Sequence, residues 1–318
     1  MTAAAIGYLE VFDGEPGPTQ HRYGYNLRAT PQRLHRATIQ LPLPIVKKQI
    51  IPSTTSIIRK FGYYTSSKMT LGAGQFSKVY KATKTNHNYA IKTMKLSALR
   101  KEYMEKFVKR EIDCLKILKH PNICQMYAQH EYGDVLLLVL EFCEYGDLLS
   151  YLMAHGALSY QVGQYWMTQV CDALVYIHSL GIAHRDVKAE NVLISRNHQV
   201  KLSDFGFACQ TTSPSRTFCG SISYCSPQIL AGKSYNVFKS DVWSLGILIF
   251  ISMIGKMPYH NERDKFQVLQ QMQFHIFNFD PCLPPECLQT MRSLLVFDEN
   301  DRPFINQVRS YPFFLSLT

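Results

Sequence analysis

Residues 182–194, IAHRDVKAENVLI, place six polar or charged side chains between two apolar flanks. This pattern is unusual for a core strand and typical of a loop that presents catalytic groups. Asp186 and Asn191, together with Asp204 in KLSDFGFA (201–208), offer hard oxygen atoms, which Mg²⁺ prefers alongside substrate phosphates. One such carboxylate alone is most often a solvated turn residue. The spacing HRD-x-K-x-x-N followed by DFG is too specific to arise by chance, so it predicts a magnesium-dependent site.

A second stretch, LGAGQFSKVYKA (71–82), indicates phosphate binding more weakly. Gly72 and Gly74 are followed by Ser77, where the pattern GxGxxG would have a third glycine. A dinucleotide-binding loop would be followed by a helix, but the alternating residues after Ser77 predict a strand hairpin. We therefore interpret the stretch as a flap whose backbone N–H groups approach phosphate oxygens, with a plain hairpin turn as the alternative.

Lys92 ends the predicted hairpin, and Glu111 lies in a predicted helix on the face that carries Ile112 and Leu115. A carboxylate on a core-facing side of a helix requires a cationic partner. We therefore expect Lys92 and Glu111 to form an ion pair between the strand and the helix.

These residues are set in a strand-rich half followed by a larger helical half, which join near residues 141–147. The predicted strands are 69–72, 78–84, 89–94 and 135–142. The predicted helices are 103–120, 147–154, 160–180, 241–255, 264–272 and 285–295.

Residues 1–60 differ from the rest of the chain. They are rich in proline, lack apolar periodicity and carry half of the net charge of +10. We expect a basic N-terminal extension that is largely extended or disordered, although the apolar stretch 39–51 could lie along a surface. Its role is not predicted, and it could dock a partner.

Composition excludes several functional classes. No stripe of Lys and Arg interleaved with aromatic residues occurs, so no nucleic-acid partner is expected. The nine cysteines include no CxxC pair, which favours free thiols in a reducing compartment, and we expect a cytoplasmic protein. No secretory signal is evident, and the apolar run Leu245–Ile254 is too short to span a bilayer, so no membrane association is expected. No oligomeric state is predicted.

The motifs HRDVKAEN and DFG, with the lysine and glutamate upstream, resemble those of eukaryotic protein kinases. The resemblance covers residues 61–315 and implies an α+β bilobal fold, with a β-rich N-lobe at about 61–142 and a helical C-lobe at about 143–315. Lys188 is typical of the serine/threonine branch. The segments KLSDFGFA, RTFCGSISY, WSLGILIF and GKMPYHNERDKF resemble the testis-specific serine kinases of the calcium/calmodulin-dependent group, which implies a role in spermatogenesis.

The resemblance implies that the chain uses ATP and Mg²⁺ to phosphorylate serine or threonine in protein substrates. Asp186 would accept the hydroxyl proton, Lys188 would neutralise the γ-phosphate, and Asn191 and Asp204 would bind Mg²⁺. His184, Phe205, Leu115 and Met126 would form an apolar column between the lobes, with Asp241 anchoring His184. The implied ATP-binding residues are Leu71, Gly72, Gly74, Val79, Ala90, Lys92, Glu111, Glu141, Cys143 and Leu193, with Leu140 beside the deeper pocket.

The segment TFCGSISYCSPQ (217–228) resembles the end of a kinase activation segment. Thr217 matches a phosphorylated position, reached by an upstream kinase or by autophosphorylation, and Arg185 would pair with that phosphate. Ser221 matches the hydroxyl that bonds the catalytic Asp and Lys. Gln228 stands where the family has a glutamate that pairs with an arginine at the position of Arg302, so we expect that arginine to lack its usual counter-charge.

Two further expectations concern substrate and regulation. Asp147 and Glu190 match positions that bind an arginine N-terminal to the acceptor, so a basic residue near position −3 is expected. Because the chain ends at Thr318, no calmodulin-binding or autoinhibitory tail, and hence no calcium control, is expected. The alternatives are a weakly active or non-catalytic scaffold, which usually lacks one of the three key residues retained here, and a small-molecule kinase, which the long segment 207–228 disfavours.

Overall fold

The computed structural model describes residues 52–65, 70–74, 76–100, 104–259 and 264–315. The predictions made for residues 1–51, including the apolar stretch 39–51, lie outside this range.

The N-lobe contains an antiparallel five-stranded sheet in the order β1-β2-β3-β5-β4. Its strands are β1 (Thr70–Ala73), β2 (Ser77–Lys84), β3 (His87–Lys95), β4 (Met126–Tyr132) and β5 (Val135–Glu141). Thr85 and Asn86 join β2 to β3 with φ of 46° and 65°, which gives a two-residue turn of the kind that suits twisted hairpins. The expected hairpin is thereby confirmed, and no helix follows the glycine-containing loop.

One helical segment packs on the inner face of this sheet. It begins as a π-helical turn (Met104–Val108) and continues as helix α2 (Lys109–Ile117). The helix ends three residues before the predicted position, because Leu118 is extended and buried in the core.

The outer face of the sheet is covered by a short helix, α1 (Thr54–Lys60). Ile57 and Ile58 are buried there against Tyr80, Ile91 and other residues of the sheet. The predicted extension, residues 1–60, therefore includes residues that belong to the folded N-lobe. A seven-residue helix has little stability of its own, and tertiary packing against the sheet stabilises it. Its Ser53 cap, whose side chain accepts from the Ser56 N–H, is the local signal for the helix start.

The C-lobe is mainly helical. Its helices are α3 (Leu148–His155), α4 (Tyr160–Ser179), α5 (Pro227–Leu230), α6 (Val237–Ile254), α7 (Lys265–Gln273), α8 (Pro285–Leu294), α9 (Ile305–Val308) and α10 (Pro312–Leu315). Two short antiparallel pairs, β6 (Ile182–Ala183) with β9 (Cys209–Gln210) and β7 (Val192–Ile194) with β8 (Val200–Leu202), frame the loops that carry the predicted catalytic residues. The bilobal α+β architecture is confirmed.

Helix α6 forms the centre of the C-lobe. Asn236 caps its first turn by accepting from two backbone N–H groups, so the helix starts four residues before the predicted position. Most of its residues are apolar and buried around the whole helix, as expected in the core of a large lobe, while Lys239 and Asp241 lie near its N-terminal end. Among the residues described, it is the one helix with the length and composition to cross a membrane, and 89% of it is buried within the protein.

Candidate active site

The inner face of the sheet presents one lysine among apolar side chains. Lys92 on β3 lies directly opposite Val79 on β2, and Ala90 lies opposite Leu140 on β5. Directly opposed residues and residues two apart share a face of a sheet, so these four side chains lie on the same side. They form a flat apolar surface with a cation at one end, which suits an aromatic base that carries phosphates.

Lys92 and Glu111 form the expected ion pair. The Lys92 Nζ lies 2.6 Å from Glu111 Oε1 and 3.5 Å from Asp204 Oδ1. Burial raises the pKa of the Glu111 carboxyl, and the Lys92 ammonium opposes that shift. The same ammonium lowers the pKa of the Asp204 carboxyl. Lys92 therefore connects the sheet, helix α2 and the DFG loop, and it holds both carboxylates close to the place where phosphates would lie.

Three predicted residues meet around Asp186, two from the catalytic loop and one, Ser221, from the segment 217–228. The Asp186 Oδ2 lies 2.8 Å from Lys188 Nζ and accepts a hydrogen bond from Asn191 Nδ2 at 3.0 Å. Its Oδ1 accepts from the Ser221 N–H at 3.0 Å and from the Ser221 hydroxyl at 3.1 Å, and Lys188 also donates to that hydroxyl at 2.8 Å. This network fixes the carboxylate in one orientation, as required of a group that must meet an incoming hydroxyl.

Asp241 on α6 supports the loop from below. Its two carboxylate oxygens accept from the backbone N–H groups of His184 and Arg185, each at 2.8 Å. Arg185 has φ of 64°, a strained conformation for a residue with a side chain, which the surrounding bonds maintain. The His184 ring also packs on Phe205, with ring centroids 4.8 Å apart.

Leu115 and Phe205 belong to one buried apolar cluster that extends over both lobes, and Met126 packs against it. The stacking of all four side chains as a column stays a prediction.

Asn191 and Asp204 lie on two sides of this network and carry the oxygen atoms predicted to bind Mg²⁺. The Asn191 amide N–H group donates hydrogen bonds to Asp186, which leaves the Asn191 side-chain oxygen as an acceptor. The Asp204 side chain is half exposed. The backbone at Asp204 has φ of 59°, so the chain leaves the extended conformation of β8 there. Within the part of the chain that is described, no group of three or more His, Cys, Asp or Glu residues forms a metal cluster. An amide and a carboxylate nevertheless fit Mg²⁺, which is usually held by one or two protein groups and substrate phosphates.

The glycine-containing hairpin lies above this site and is open to solvent. All four residues of β1 are exposed, including Leu71, and a bulge interrupts the pairing beside it. The Gly74 N–H donates to the Ser77 carbonyl at 2.8 Å, and a Cβ at Gly74 would lie 3.3 Å from the Ser77 hydroxyl. At Gly72 a Cβ would meet no atom within 4 Å. The hairpin has the form expected of a flap, with room above Gly72.

The segment after β5 connects the lobes at the back of the site. Glu141 Oε1 forms an ion pair with Lys201 Nζ of the C-lobe at 2.8 Å, and the Glu141 backbone N–H donates to the Gln125 carbonyl. The buried Cys143 follows, and burial raises the pKa of its thiol to about 12. Bonds between Ile194 and the Tyr145–Gly146 segment bring Leu193 against this hinge. The structure thus places Leu193 beside the segment that joins the lobes, and the binding of adenine by these residues stays a prediction.

Comparison with known proteins agrees with this geometry. Residues 65–314 match the protein kinase domain family. This chain belongs to the protein kinase family. Its resemblance to serine/threonine kinases, expected from Lys188, is confirmed by relatives of that type.

Two testis-specific kinases are among those relatives. Testis-specific serine/threonine-protein kinase 2 of Mus musculus is 32% identical over 268 residues, covering 80% of this chain and 74% of that protein. Testis-specific serine/threonine-protein kinase 4 of Homo sapiens is 31% identical, covering 77% of this chain and 81% of that protein. The similarity to the testis-specific kinases, expected from the four quoted segments, is confirmed.

A third relative is much longer than this kinase. The probable serine/threonine-protein kinase MARK-A of Dictyostelium discoideum is 33% identical over 252 residues, which is 78% of this chain. The chain spans only 24% of that protein's length, and less than a third of two further relatives. The similarity to these longer relatives therefore concerns the kinase domain.

The activation segment of this kinase connects Thr217 to Arg185 through a tyrosine that sequence reasoning missed. The Tyr235 hydroxyl donates to the Thr217 carbonyl at 2.9 Å and contacts the Arg185 guanidinium. The Arg185 Nε donates to the Phe207 carbonyl at 2.6 Å, while the Thr217 side chain is exposed. Tyr235 therefore links the Thr217 backbone to Arg185, and no sequence motif marks it as that link.

Gln228 and Arg302 meet, as the resemblance implied, but Arg302 has several other partners. Its guanidinium donates to Gln228 Oε1 at 3.2 Å and to the carbonyls of Lys239 and Val296, each at 2.9 Å. The Gln228 amide in turn donates to the Phe297 carbonyl at 2.7 Å. Burial lowers the pKa of Arg302 to about 10. The expectation of a missing counter-charge is correct for Gln228, and backbone carbonyls take up the hydrogen bonds.

The two carboxylates predicted to bind a basic substrate residue differ in their surroundings. Asp147 caps helix α3 and accepts from the Ser150 N–H and hydroxyl, each at 2.8 Å. Glu190 has a buried Oε2 without a hydrogen-bond partner among the described residues. Burial raises the pKa of the Glu190 carboxyl, and nearby Asp186 and Asp147 add to that shift while Lys188 opposes it. Glu190 is therefore the carboxylate that an incoming cation would stabilise most.

Proposed function

We propose that this chain is an active protein kinase that transfers the γ-phosphate of ATP to serine or threonine hydroxyls of protein substrates. The observation that carries the proposal is the closed arrangement of the site: Lys92 is paired with Glu111 at 2.6 Å, and Asp186 is oriented by Lys188, Asn191 and Ser221. A kinase fold that serves only as a scaffold would not need these buried charges, which stabilise a fold poorly.

The chemistry follows from the position of each group. Lys92 would hold the α- and β-phosphates, and Asn191 and Asp204 would hold Mg²⁺, which neutralises phosphate charge when bound. The substrate hydroxyl oxygen forms the new bond to the γ-phosphorus while the bond to the bridging β–γ oxygen breaks and ADP leaves. Asp186 accepts the hydroxyl proton, and Lys188, 2.8 Å from Asp186 Oδ2, balances the charge on the phosphoryl group in transit.

The first experiment compares three purified chains with labelled ATP, Mg²⁺ and a peptide that contains serine and arginine. Asp186→Asn removes the proton acceptor, and turnover should fall by about 10²–10⁴-fold, the usual contribution of a general base. Lys92→Met should likewise abolish most transfer. Equal signals from all three chains would show that the phosphorylation comes from a contaminant, and similar melting temperatures would exclude unfolding of the variants.

We further propose a preference for a basic residue N-terminal to the acceptor, at about position −3. The partnerless Oε2 of Glu190 and the neighbouring Asp147 support it, because an arginine would supply both hydrogen bonds and counter-charge. Glu190→Gln should raise KM for an arginine-containing peptide about tenfold and leave KM for its alanine counterpart unchanged. Because the pKa of Glu190 is raised, the carboxylate is protonated at a higher pH than an ordinary glutamate. As the pH falls, the wild type should therefore begin to lose affinity for the arginine peptide at that higher pH. A peptide series with no preference at any N-terminal position would refute this specificity.

Phosphorylation of Thr217 is proposed as the means of activation. A phosphate there would add charge-assisted bonds beside the Arg185–Tyr235 contact and order the segment. Thr217→Ala should reduce turnover about tenfold, and wild-type turnover in that variant would contradict the proposal. Mass spectrometry of wild-type and Asp186→Asn chains incubated with ATP tests autophosphorylation: phosphate on Thr217 of the wild type alone indicates it, and phosphate on neither chain excludes it.

We also propose a cytoplasmic location and, from the names of the testis-specific relatives, a role in spermatogenesis. Fractionation of germ cells with an antibody against the chain tests both, and enrichment in another tissue or in membranes would contradict them.

A further inference from the structure

An aromatic contact joins the helix that carries Glu111 to the start of the activation segment. Phe107 lies in the π-helical turn, one turn before Glu111, and its ring meets the ring of Phe207 edge to face. The ring centroids are 5.5 Å apart at an interplanar angle of 82°. This is the arrangement that aromatic pairs prefer, and it constrains both position and rotation.

Phe207 is itself held from the C-lobe side. Its carbonyl accepts from Arg185 Nε at 2.6 Å, and the Arg185 backbone N–H donates to Asp241 at 2.8 Å. A continuous series of contacts therefore runs from the centre of the C-lobe through Arg185 and Phe207 to Phe107 in the N-lobe.

The series ends at a pair whose geometry is demanding. Glu111 is only 5% exposed, and its carboxylate is stabilised by Lys92 at 2.6 Å. A small rotation of the helix would withdraw that carboxylate and leave two partly desolvated charges unpaired. The first turn of the helix therefore needs a fixed contact, and the edge-to-face pair supplies one.

Arg185 is engaged with the Phe207 carbonyl and with Tyr235, and the Lys92–Glu111 pair is closed in the same arrangement.

We propose that Phe107 and Phe207 are positioning residues: their contact holds the helix in the position in which the Lys92–Glu111 pair forms. Neither ring touches the reacting atoms, and each acts through Glu111. The proposal deepens the phosphotransfer function proposed above and rests on it.

The test uses the full chain with Thr217→Ala as the background, so that phosphorylation cannot compensate. Phe107→Ala and Phe207→Ala should each lower kcat about tenfold and weaken binding of a fluorescent ATP analogue several-fold. Phe107→Tyr should retain activity because it preserves the ring contact. Phe266→Ala, which removes an exposed phenylalanine from helix α7, is the matched control and should change neither quantity.

Combined variants separate positioning from general loss of packing. The double variant Phe107→Ala with Phe207→Ala should lose no more kcat and nucleotide affinity than either single variant. In a chain that carries Glu111→Gln, Phe107→Ala should not lower the nucleotide affinity further. Losses that multiply in either combination, or an unchanged affinity in Phe107→Ala, would overturn the proposal. Because nucleotide affinity is measured without turnover, a chain that binds the analogue but transfers no phosphate would refute the proposed function and still decide this inference.

Discussion

The catalytic loop and the β1–β2 hairpin contribute to the same proposed nucleotide site, and they are built in opposite ways. From His184 to Asn191 every residue except Glu190 is buried. The single carboxylate of Asp186 is bonded to Lys188, Asn191 and Ser221. Strand β1 is exposed along its whole length and lacks regular pairing at Leu71.

The difference follows from what each region must do. The loop has to hold a carboxylate in one orientation, so its backbone strain at Arg185 is maintained by Asp241 and the packing of His184. In the proposed function the hairpin admits a nucleotide and releases its product, so a segment with few buried contacts is suited to it. The proposed site therefore combines a fixed side around Asp186 with an exposed side at β1.

Glycine-to-alanine variants test this contrast with the same small change on each side. At Gly220, beside the catalytic loop, φ is 91° and a Cβ would lie 2.6 Å from the Arg185 carbonyl oxygen and 3.7 Å from Asp186 Oδ1. Gly220→Ala must therefore displace backbone next to the catalytic carboxylate, and we expect a loss of kcat of about 10²-fold, as a misplacement near 1 Å produces. Steady-state kinetics at saturating ATP measure it.

The control for that variant is the melting temperature. A fall of several degrees is expected from the backbone strain, so the kinetics are compared at a temperature where the variant is folded. Unchanged kcat in Gly220→Ala would show that the catalytic loop adapts, and the contrast between the two regions would fail.

A second variant concerns the anchor of the fixed side. In Gln228→Glu the new carboxylate would pair with Arg302, whose pKa burial now lowers to about 10, while the bond from the Gln228 amide to Phe297 would be lost. A charge-assisted bond is stronger than a neutral one, so we expect a net gain of about 1 kcal/mol. For a domain of this size that corresponds to a rise in melting temperature of about 2–4 °C.

Calorimetry measures this shift, with Gln267→Glu on the exposed surface of α7 as a control for added charge. A lower melting temperature in Gln228→Glu would show that the bond to Phe297 matters more than the ion pair. The amide would then be the better partner for Arg302 among so many carbonyls.

How far the sequence predicted these features depended on whether they were local. The catalytic loop, the hairpin and the Lys92–Glu111 pair were predictable, because motif spacing and a carboxylate on an apolar face are visible along the chain. Strand β4, MYAQHEY, was missed because its residues alternate weakly, and its pairing with β5 decides its structure.

Other features depend on residues that are distant in the sequence. Helix α1 is stable only against the sheet, so its proline-rich surroundings were misleading. Tyr235 and the Phe107–Phe207 contact connect residues that folding alone brings together. The same limit applies to Asp147 and Glu190, for which the resemblance predicted the same role. Their hydrogen bonding differs, because Asp147 caps a helix whereas the buried Oε2 of Glu190 has no partner among the described residues.

The smallest effect is expected on the exposed side, at β1, and it completes the contrast. At Gly72 a Cβ would meet no atom within 4 Å, and no positive φ requires glycine. Gly72→Ala should leave the melting temperature unchanged and raise KM for ATP by less than about fivefold, because only the approach of the backbone N–H to a phosphate is affected. KM and kcat measured beside those of Gly220→Ala decide the matter. A loss of kcat in Gly72→Ala as large as in Gly220→Ala would mean that the hairpin is as tightly fitted around the phosphates as the loop is around Asp186. The distinction between a fixed and an exposed side would then be wrong.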